Sequence, residues 1–163
     1  MVEYQDNFLT EEEYQKIYEL MTNDKFAWYY VPDITFAKEN ANNNLFYMTH
    51  NFYNDDMPLS NYFNSHISMF KDMLKAKTFI RVKGNLYPSQ NKLSQHKSHK
   101  DYEYEHKAAI YCINTCDGYT MFEDGKTIPS VANRLITFDG SMQHASTDCT
   151  NAKSRININF NYL

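Results

Sequence analysis

Three side chains in the C-terminal half of this chain have the types and spacing to hold a transition-metal ion: His99, Asp101 and, further along, His144. In an extended segment, residues two apart point to the same side. The imidazole and the carboxylate of His99-Lys100-Asp101 can therefore reach one ion. Two histidines and one carboxylate on one face leave further coordination positions open, the arrangement suited to an iron(II) ion that must also accept a co-substrate and oxygen. A His-x-Asp pair means little by itself in a chain with 6 His. The order is what sharpens it: His99-x-Asp101, a run of short strands, His144 after an Asp139-Gly140 turn, then Arg155 at the start of the last strand. His96 and His106 compete poorly, having Ser98 and Ala108 at their plus-two positions. Both are expected to be exposed, or at best to support the ligands from behind. His50 and His66 carry no ligand spacing.

These residues need elements to position them. From Thr78 onward the pattern predicts short strands over Thr78–Tyr87, His106–Asn114, Tyr119–Phe122, Arg134–Phe138, His144–Thr147 and Arg155–Tyr162. Pro88-Ser89, Asp117-Gly118, Asp124-Gly125 and Asp139-Gly140 supply turns between them. The last strand alternates strictly. Ile156, Ile158, Phe160 and Tyr162 share one face; Arg155, Asn157, Asn159 and Asn161 share the other. A strand with one solvated side would account for this, and so would a strand whose polar side lines the mouth of a barrel. The front half predicts helices and fewer strands. Thr10-Glu11-Glu12-Glu13 is a capping-box start, with Leu9 and Tyr14 placed as a hydrophobic staple. Tyr14, Ile17, Tyr18 and Met21 mark an apolar helix face. A second helix is expected over Leu59–Lys75 with Tyr62, Ile67, Phe70 and Leu74 inward, and strands over Phe26–Tyr30 and Leu45–Tyr53. Glu39–Asn44 is Asn-rich and reads as a mobile loop. Short strands at this spacing, with helices against one outer face, predict an α+β, mainly β domain of sandwich or barrel type.

Composition narrows the class. A chain of 163 residues fits one domain. Its 14 Tyr and 11 Phe supply large apolar surface for a core, and 4 Gly with 4 Pro argue against extended disorder. The net charge of −4 disfavours nucleic acid and anionic membrane as partners, because no general basic field surrounds the chain. The local run of Lys92, Lys97 and Lys100 reads as a solvated loop. Three cysteines, Cys112, Cys116 and Cys149, and no signal-peptide pattern point to a reducing compartment, hence the cytoplasm, of a host if the gene is viral. No apolar run approaches the length of a membrane helix.

Beyond these readings, the chain resembles the 2-oxoglutarate and iron(II)-dependent oxygenase superfamily, in particular its prolyl-hydroxylase-like branch. The resemblance is carried by Asn85-Leu86-Tyr87-Pro88, His99-Lys100-Asp101, Ala109-Ile110-Tyr111-Cys112-Ile113-Asn114, Gly118-Tyr119-Thr120-Met121-Phe122, Arg134-Leu135-Ile136-Thr137-Phe138, His144 and Arg155. Asp6-Asn7-Phe8-Leu9-Thr10 and Phe26-Ala27-Trp28-Tyr29-Tyr30 resemble compact bacteriophage-encoded members. The resemblance implies a double-stranded β-helix, or jelly-roll, as core over about residues 78–163, with supporting helices and strands over 1–77 in a single domain 1–163. It implies iron(II) held by His99, Asp101 and His144. It also implies 2-oxoglutarate with its far carboxylate on Arg155 and a contribution from Tyr87, O2 as oxidant and ascorbate as an optional reductant. Cys112 stands where some relatives place a second tyrosine, with Tyr111 on the neighbouring face, so the part played by Tyr111 is open, as are those of Asn157 and Asn159.

The implied activity is hydroxylation of an unactivated C–H bond coupled to decarboxylation of 2-oxoglutarate to succinate. A protein or peptide residue such as proline is the first expected substrate; a small metabolite or a nucleobase is the alternative. Val31–Asn44 and Asn54–Met57 are expected as lids. The rival from another class is a jelly-roll that binds or senses without catalysis. A structural role would need none of the four residues His99, Asp101, His144 and Arg155.

Overall fold

The computed structural model describes residues 1–32 and 45–163. Among these residues are eleven strands and two α-helices, in the order β1 (Glu3–Gln5), α1 (Glu11–Thr22), β2 (Tyr29–Val31), β3 (Tyr47–Asn54), β4 (Met57–Pro58), α2 (Phe70–Met73), β5 (Phe79–Pro88), β6 (Lys107–Cys112), β7 (Tyr119–Phe122), β8 (Thr127–Pro129), β9 (Arg134–Asp139), β10 (His144–Ser146) and β11 (Ser154–Tyr162). The large sheet runs β1-β9-β6-β11-β5-β3-β2, with β4 added on β3, and the small sheet runs β10-β7-β8. Every pairing is antiparallel. From β6 onward the chain crosses repeatedly between the two sheets, which is the winding of a jelly-roll, and the fold is α+β with β dominant, as the strand pattern predicts.

The segment between β5 and β6 makes no strand of its own but leans on β10. Gln95 bridges Thr147 and His99 bridges His144. It thereby widens the small sheet at the edge where two of the candidate ligands sit.

Two apolar cores follow from strand alternation. On the outer face of the large sheet, Ile156, Ile158, Phe160 and Tyr162 of β11 join Ile17, Leu20 and Met21 of α1 and Phe70 of α2. Between the sheets, Ala108, Ile110, Cys112, Phe122, Ile136 and Phe138 form a smaller core. The polar side of β11 thus faces the space between the sheets and not solvent: Asn157, Asn159 and Asn161 are buried there.

Helix α1 begins as the capping box predicts: the Thr10 hydroxyl accepts from Glu13 N, and the Glu13 carboxylate accepts from Thr10 N at 3.0 Å. Its buried face is Ile17, Leu20 and Met21, while Tyr18 is exposed. The expected helix over Leu59–Lys75 is interrupted. A π-helical turn covers Phe63–Ile67 and only Phe70–Met73 is α-helical. The Ser68 amide reaches back to Phe63 O at 2.8 Å, and the Ser65 and Ser68 hydroxyls donate to carbonyls four residues back, competing with the regular ladder. The break keeps Phe63, Ile67, Phe70 and Leu74 all buried, with Tyr62 at the margin. The expected strand at Phe26–Tyr30 starts only at Tyr29. Asn23 takes up the Lys25 and Phe26 amides in a turn, and Phe26 drops into the core against Trp28 and His50. Of the expected lids, Asp55 and Asp56 form an exposed turn, and the stretch 33–44, with the Asn-rich loop, lies outside the described residues. Among the described residues no helix is long and apolar enough to cross a membrane. All three cysteines are unpaired and buried.

Candidate functional site

The bridge between His99 and His144 is a pair of mutual backbone hydrogen bonds, each amide donating to the other's carbonyl at 2.9 Å. Residues directly opposite in such a pair project to the same face, and the two imidazole centroids lie 4.8 Å apart. Asp101, two residues beyond His99, turns the same way. One donor atom from each of His99, Asp101 and His144 lies within 4.8 Å of the others, with His99 Nε2 and Asp101 Oδ1 3.8 Å apart. The structure brings together the three residues that the spacing singles out.

Their orientation suits an ion. His99 Nδ1 lies 3.3 Å from Lys97 O, and His144 Nδ1 lies 3.2 Å from Met142 O. A carbonyl only accepts, so each Nδ1 carries the proton and each Nε2 presents its lone pair to the site. Burial lowers the pKa of His144, and His99 and Arg81 push the same way against the attraction of Asp101, which keeps the ring neutral and ready to ligate. Burial works to raise the pKa of Asp101, but Arg81, His144 and His99 outweigh it and hold the carboxyl well below the usual range. Arg81 Nη2 donates to Oδ1 at 2.7 Å and Asn159 Nδ2 to Oδ2 at 3.0 Å. The donor set is therefore two imidazole Nε2 atoms and one ionised carboxylate, which fits iron(II) and leaves positions open.

Asp101 is supported from further back. Asn159 Oδ1 accepts from Asn161 Nδ2 at 3.1 Å, and Asn161 Oδ1 faces His106 Nε2 at 2.9 Å. His106 Nδ1 in turn faces Tyr104 O at 2.9 Å. His106, expected at the surface or behind the ligands, is buried at the end of this chain. His96 is also buried rather than exposed. Its Nδ1 meets Ser146 Oγ at 2.7 Å while Nε2 has no partner. Burial, with Arg155 and His99 nearby, takes its pKa down to about 3, so His96 is a neutral ring in the wall of the site.

The cavity beside the three candidate ligands is lined by Tyr47, Lys83, Asn85, Tyr87, His96, Ile110, Thr120, Ser146, Asn157 and Asn159. Tyr87 stacks on Tyr47 with centroids 5.5 Å apart and sits opposite Arg155 in the strand register. Arg155 is fully buried one layer behind the wall. Its Nη1 donates to Thr147 O at 3.0 Å and Nη2 to Thr120 Oγ1 at 2.9 Å, while Nε has no partner. The guanidinium lies 6.0 Å from the Tyr87 ring centroid. Asn157 and Asn159 both line the cavity. Tyr111 does not: it lies on the opposite face of β6, packed on Phe70, with its hydroxyl donating to Asn133 Oδ1 at 2.9 Å. Cys112 faces the space between the sheets.

Sequence reasoning missed Arg81, Lys83, Asn85, Thr120 and the chain through His106. A signal for the first three was present. Arg81, Lys83, Asn85 and Tyr87 alternate along β5 as Arg155, Asn157, Asn159 and Asn161 do along β11, and the two polar faces are in register: Arg155 with Tyr87, Asn157 with Asn85, Asn159 with Lys83 and Asn161 with Arg81.

No protein-family model and no curated protein matches the sequence. Solved structures do match. A prolyl-4-hydroxylase of Pseudomonas putida superposes with a TM-score of 0.67 at 12% identity, over 99% of this chain and 91% of that one. A prolyl hydroxylase of Trichoplax adhaerens, in complex with an oxygen degradation domain peptide fragment of hypoxia inducible factor, gives 0.68 at 12% identity, over 99% and 83%. An oxidoreductase of the 2OG-Fe(II) oxygenase family from Burkholderia pseudomallei gives 0.67 at 12% identity, over 99% and 84%. Over nearly its whole length, this chain has the fold of the prolyl hydroxylases and of the 2OG-Fe(II) oxygenase family.

Proposed function

We propose that the protein is a 2-oxoglutarate- and iron(II)-dependent dioxygenase. The observation that carries this reading is the convergence of His99, Asp101 and His144 donor atoms within 4.8 Å, on one wall of a cavity in a fold shared with such enzymes. His99 and His144 would ligate through Nε2, their tautomers set by the carbonyls of Lys97 and Met142. Asp101 would ligate as an anion, kept ionised by Arg81 and aimed by Asn159. Arg155 would take the far carboxylate of 2-oxoglutarate, since a guanidinium grips a carboxylate with parallel hydrogen bonds. Thr120 and Tyr87 would share that end: Thr120 Oγ1 accepts a hydrogen bond from Arg155, and burial raises the pKa of the Tyr87 phenol, favouring its neutral form. The open side of the cavity would admit substrate beside the ion, and the buried wall of Ile110 and Tyr87 would keep water from the reacting centre.

When bound, iron(II) with 2-oxoglutarate and O2 supplies the oxidising power to hydroxylate an unactivated C–H bond, with carbon dioxide and succinate as co-products. The first substrate reading is a peptide or protein residue such as proline, supported by the likeness to the prolyl hydroxylase that was solved with a bound peptide.

The test is anaerobic titration of metal-free protein with iron(II) and then 2-oxoglutarate, monitored in the visible. A weak metal-to-ligand charge-transfer band should develop with 2-oxoglutarate and be lost in His99→Ala. No band from folded, iron-loaded wild-type protein would overturn the reading and favour a jelly-roll that binds without catalysis.

A further inference from the structure

Lys83 lies in the middle of β5 and its side chain enters the cavity between those of Arg81 and Asn85 on the same strand face. Its ammonium has no ion-pair partner among the described residues. The nearest aromatic face is Tyr47, with Nζ 5.9 Å from the ring centroid. Burial takes the Lys83 ammonium down to about 8, with Arg81 pushing the same way and Asp101 opposing. Asp101 attracts it from beyond ion-pair distance, and that carboxylate is engaged directly by Arg81 and Asn159. Two positions along the same face, Asn85 donates Nδ2 to Asn157 Oδ1 at 3.0 Å and leaves its own Oδ1 buried with no partner. Among the described residues, one wall of the cavity therefore carries a cation lacking an anion and, about 7 Å along the strand, an acceptor lacking a donor.

The bland account of Lys83 is a stem packed along an aromatic ring with its head in water. It leaves the charge of the site unbalanced. With iron(II) and 2-oxoglutarate in place, the dianion offsets the ion and Asp101 offsets Arg81. Arg155 and Lys83 remain, and only Arg155 lies at the co-substrate's far end. Lys83 is half-buried, and a cation partly withdrawn from water without a partner is disfavoured; a ligand that brings an anion to it lowers that cost.

We propose that Lys83 and Asn85 form the subsite for the substrate's own carboxylate and an adjacent N–H. The substrate is then a free amino acid or the C-terminal residue of a peptide. This rests on the oxygenase reading above and goes further by naming the chemical class of the substrate. A phosphate fits less well: it needs several donors around three oxygens, whereas this wall offers one ammonium beside a carbonyl oxygen that repels a second anionic oxygen. A carboxylate with a neighbouring N–H satisfies both groups at once.

The first arm of the test follows the Lys83 side-chain NMR signals during titration with acetate and, separately, acetamide. It uses metal-free protein, and zinc(II)-loaded protein saturated with 2-oxoglutarate. Acetate should shift the signal saturably in both forms and bind at least about tenfold more tightly than acetamide, the size of effect expected for one charge-assisted hydrogen bond. The acetate preference, read on other cavity resonances, should vanish in Lys83→Met and persist in Lys83→Arg. The second arm screens the twenty free amino acids and their carboxamides for stimulation of 2-oxoglutarate consumption; only the acids should stimulate.

Equal binding of acetate and acetamide would overturn the assignment. Exclusion of acetate once 2-oxoglutarate is bound would also overturn it, by giving Lys83 to the co-substrate. Stimulation by the carboxamides would do the same. These failures are distinct from failure of the oxygenase reading, which shows as a missing charge-transfer band and leaves the acetate titration of the metal-free protein interpretable.

Discussion

Asp101 illustrates how much of a metal site lies outside its ligands. Its oxygens are held by Arg81 and Asn159, and behind Asn159 stand Asn161 and His106. Outer partners of this kind orient the ligand and are worth about 10–100-fold in metal affinity. Asn159→Ala should therefore weaken iron(II) binding by about that factor while leaving the far-ultraviolet circular dichroism unchanged; chelator competition measures it, and unchanged affinity would show the chain to be passive. His96 gives a prediction about pH. Its folded pKa, about 3, lies below the ordinary value of 6.5. Between those values the unfolded chain binds more protons than the folded one, so stability rises with pH across the window and falls as pH is lowered through it. The melting temperature of metal-free protein should drop between pH 6.5 and 4.5 less steeply in His96→Gln than in wild type; equal slopes would mean that the ring takes its proton without cost. At this scale the sequence was partly legible. The two-residue period of His99-Lys100-Asp101 places both side chains on one side wherever the chain is extended, so that pair could be read directly. The tie from His106 to Asn161 could not, because it spans 55 positions and depends on two strands meeting in register.

Elements do the aiming. The facing polar sides of β5 and β11 build the cavity wall, and the turn before β7 fixes Arg155. At Gly118 an added Cβ would lie 2.5 Å from Asp148 O and 2.7 Å from Arg155 Cδ. Gly118→Ala should shift the guanidinium and lower 2-oxoglutarate affinity about tenfold, the loss of one charged hydrogen bond, with iron(II) affinity unchanged; titration of the charge-transfer band separates the two. Gly140, in the turn before β10, sits so close to the His106 ring that any Cβ there would collide with it. Strands β5, β6, β7, β9, β10 and β11 were readable because each is a short run bounded by turn residues, whereas β8, three residues ending in proline, was not. Strand β1 was not: all three of its residues are exposed, and only its pairing with β9 makes it a strand. The helix expected at Leu59–Lys75 was read as continuous because its apolar spacing suits a helix; the serines that divert its hydrogen bonds leave that spacing intact.

Across the whole molecule, the N-terminal segment is held to the jelly-roll by the β1–β9 pairing, by the Asp6–Arg134 ion pair and, most deeply buried, by one side chain. Asn133, itself in the left-handed region at φ 58°, accepts from Leu9 N and Tyr111 OH and donates to Leu9 O, each at 2.9 Å. Losing three buried hydrogen bonds should make Asn133→Ala less stable by about 2–4 kcal/mol in urea unfolding, with metal affinity retained because the change lies across the large sheet from the cavity. That dependence of the front half on the back half was hidden in the sequence, where the two partners stand 124 positions apart. The mutual backbone bond of His99 and His144 has a different consequence. The two residues that would grip the ion are also the fastening between the β5–β6 segment and β10. An occupied site would thus act as a brace: an ion held by a side chain from each segment would oppose their separation. Amide exchange at His99 and His144 should then slow together when the ion binds, so that two backbone protons report on occupancy of the site.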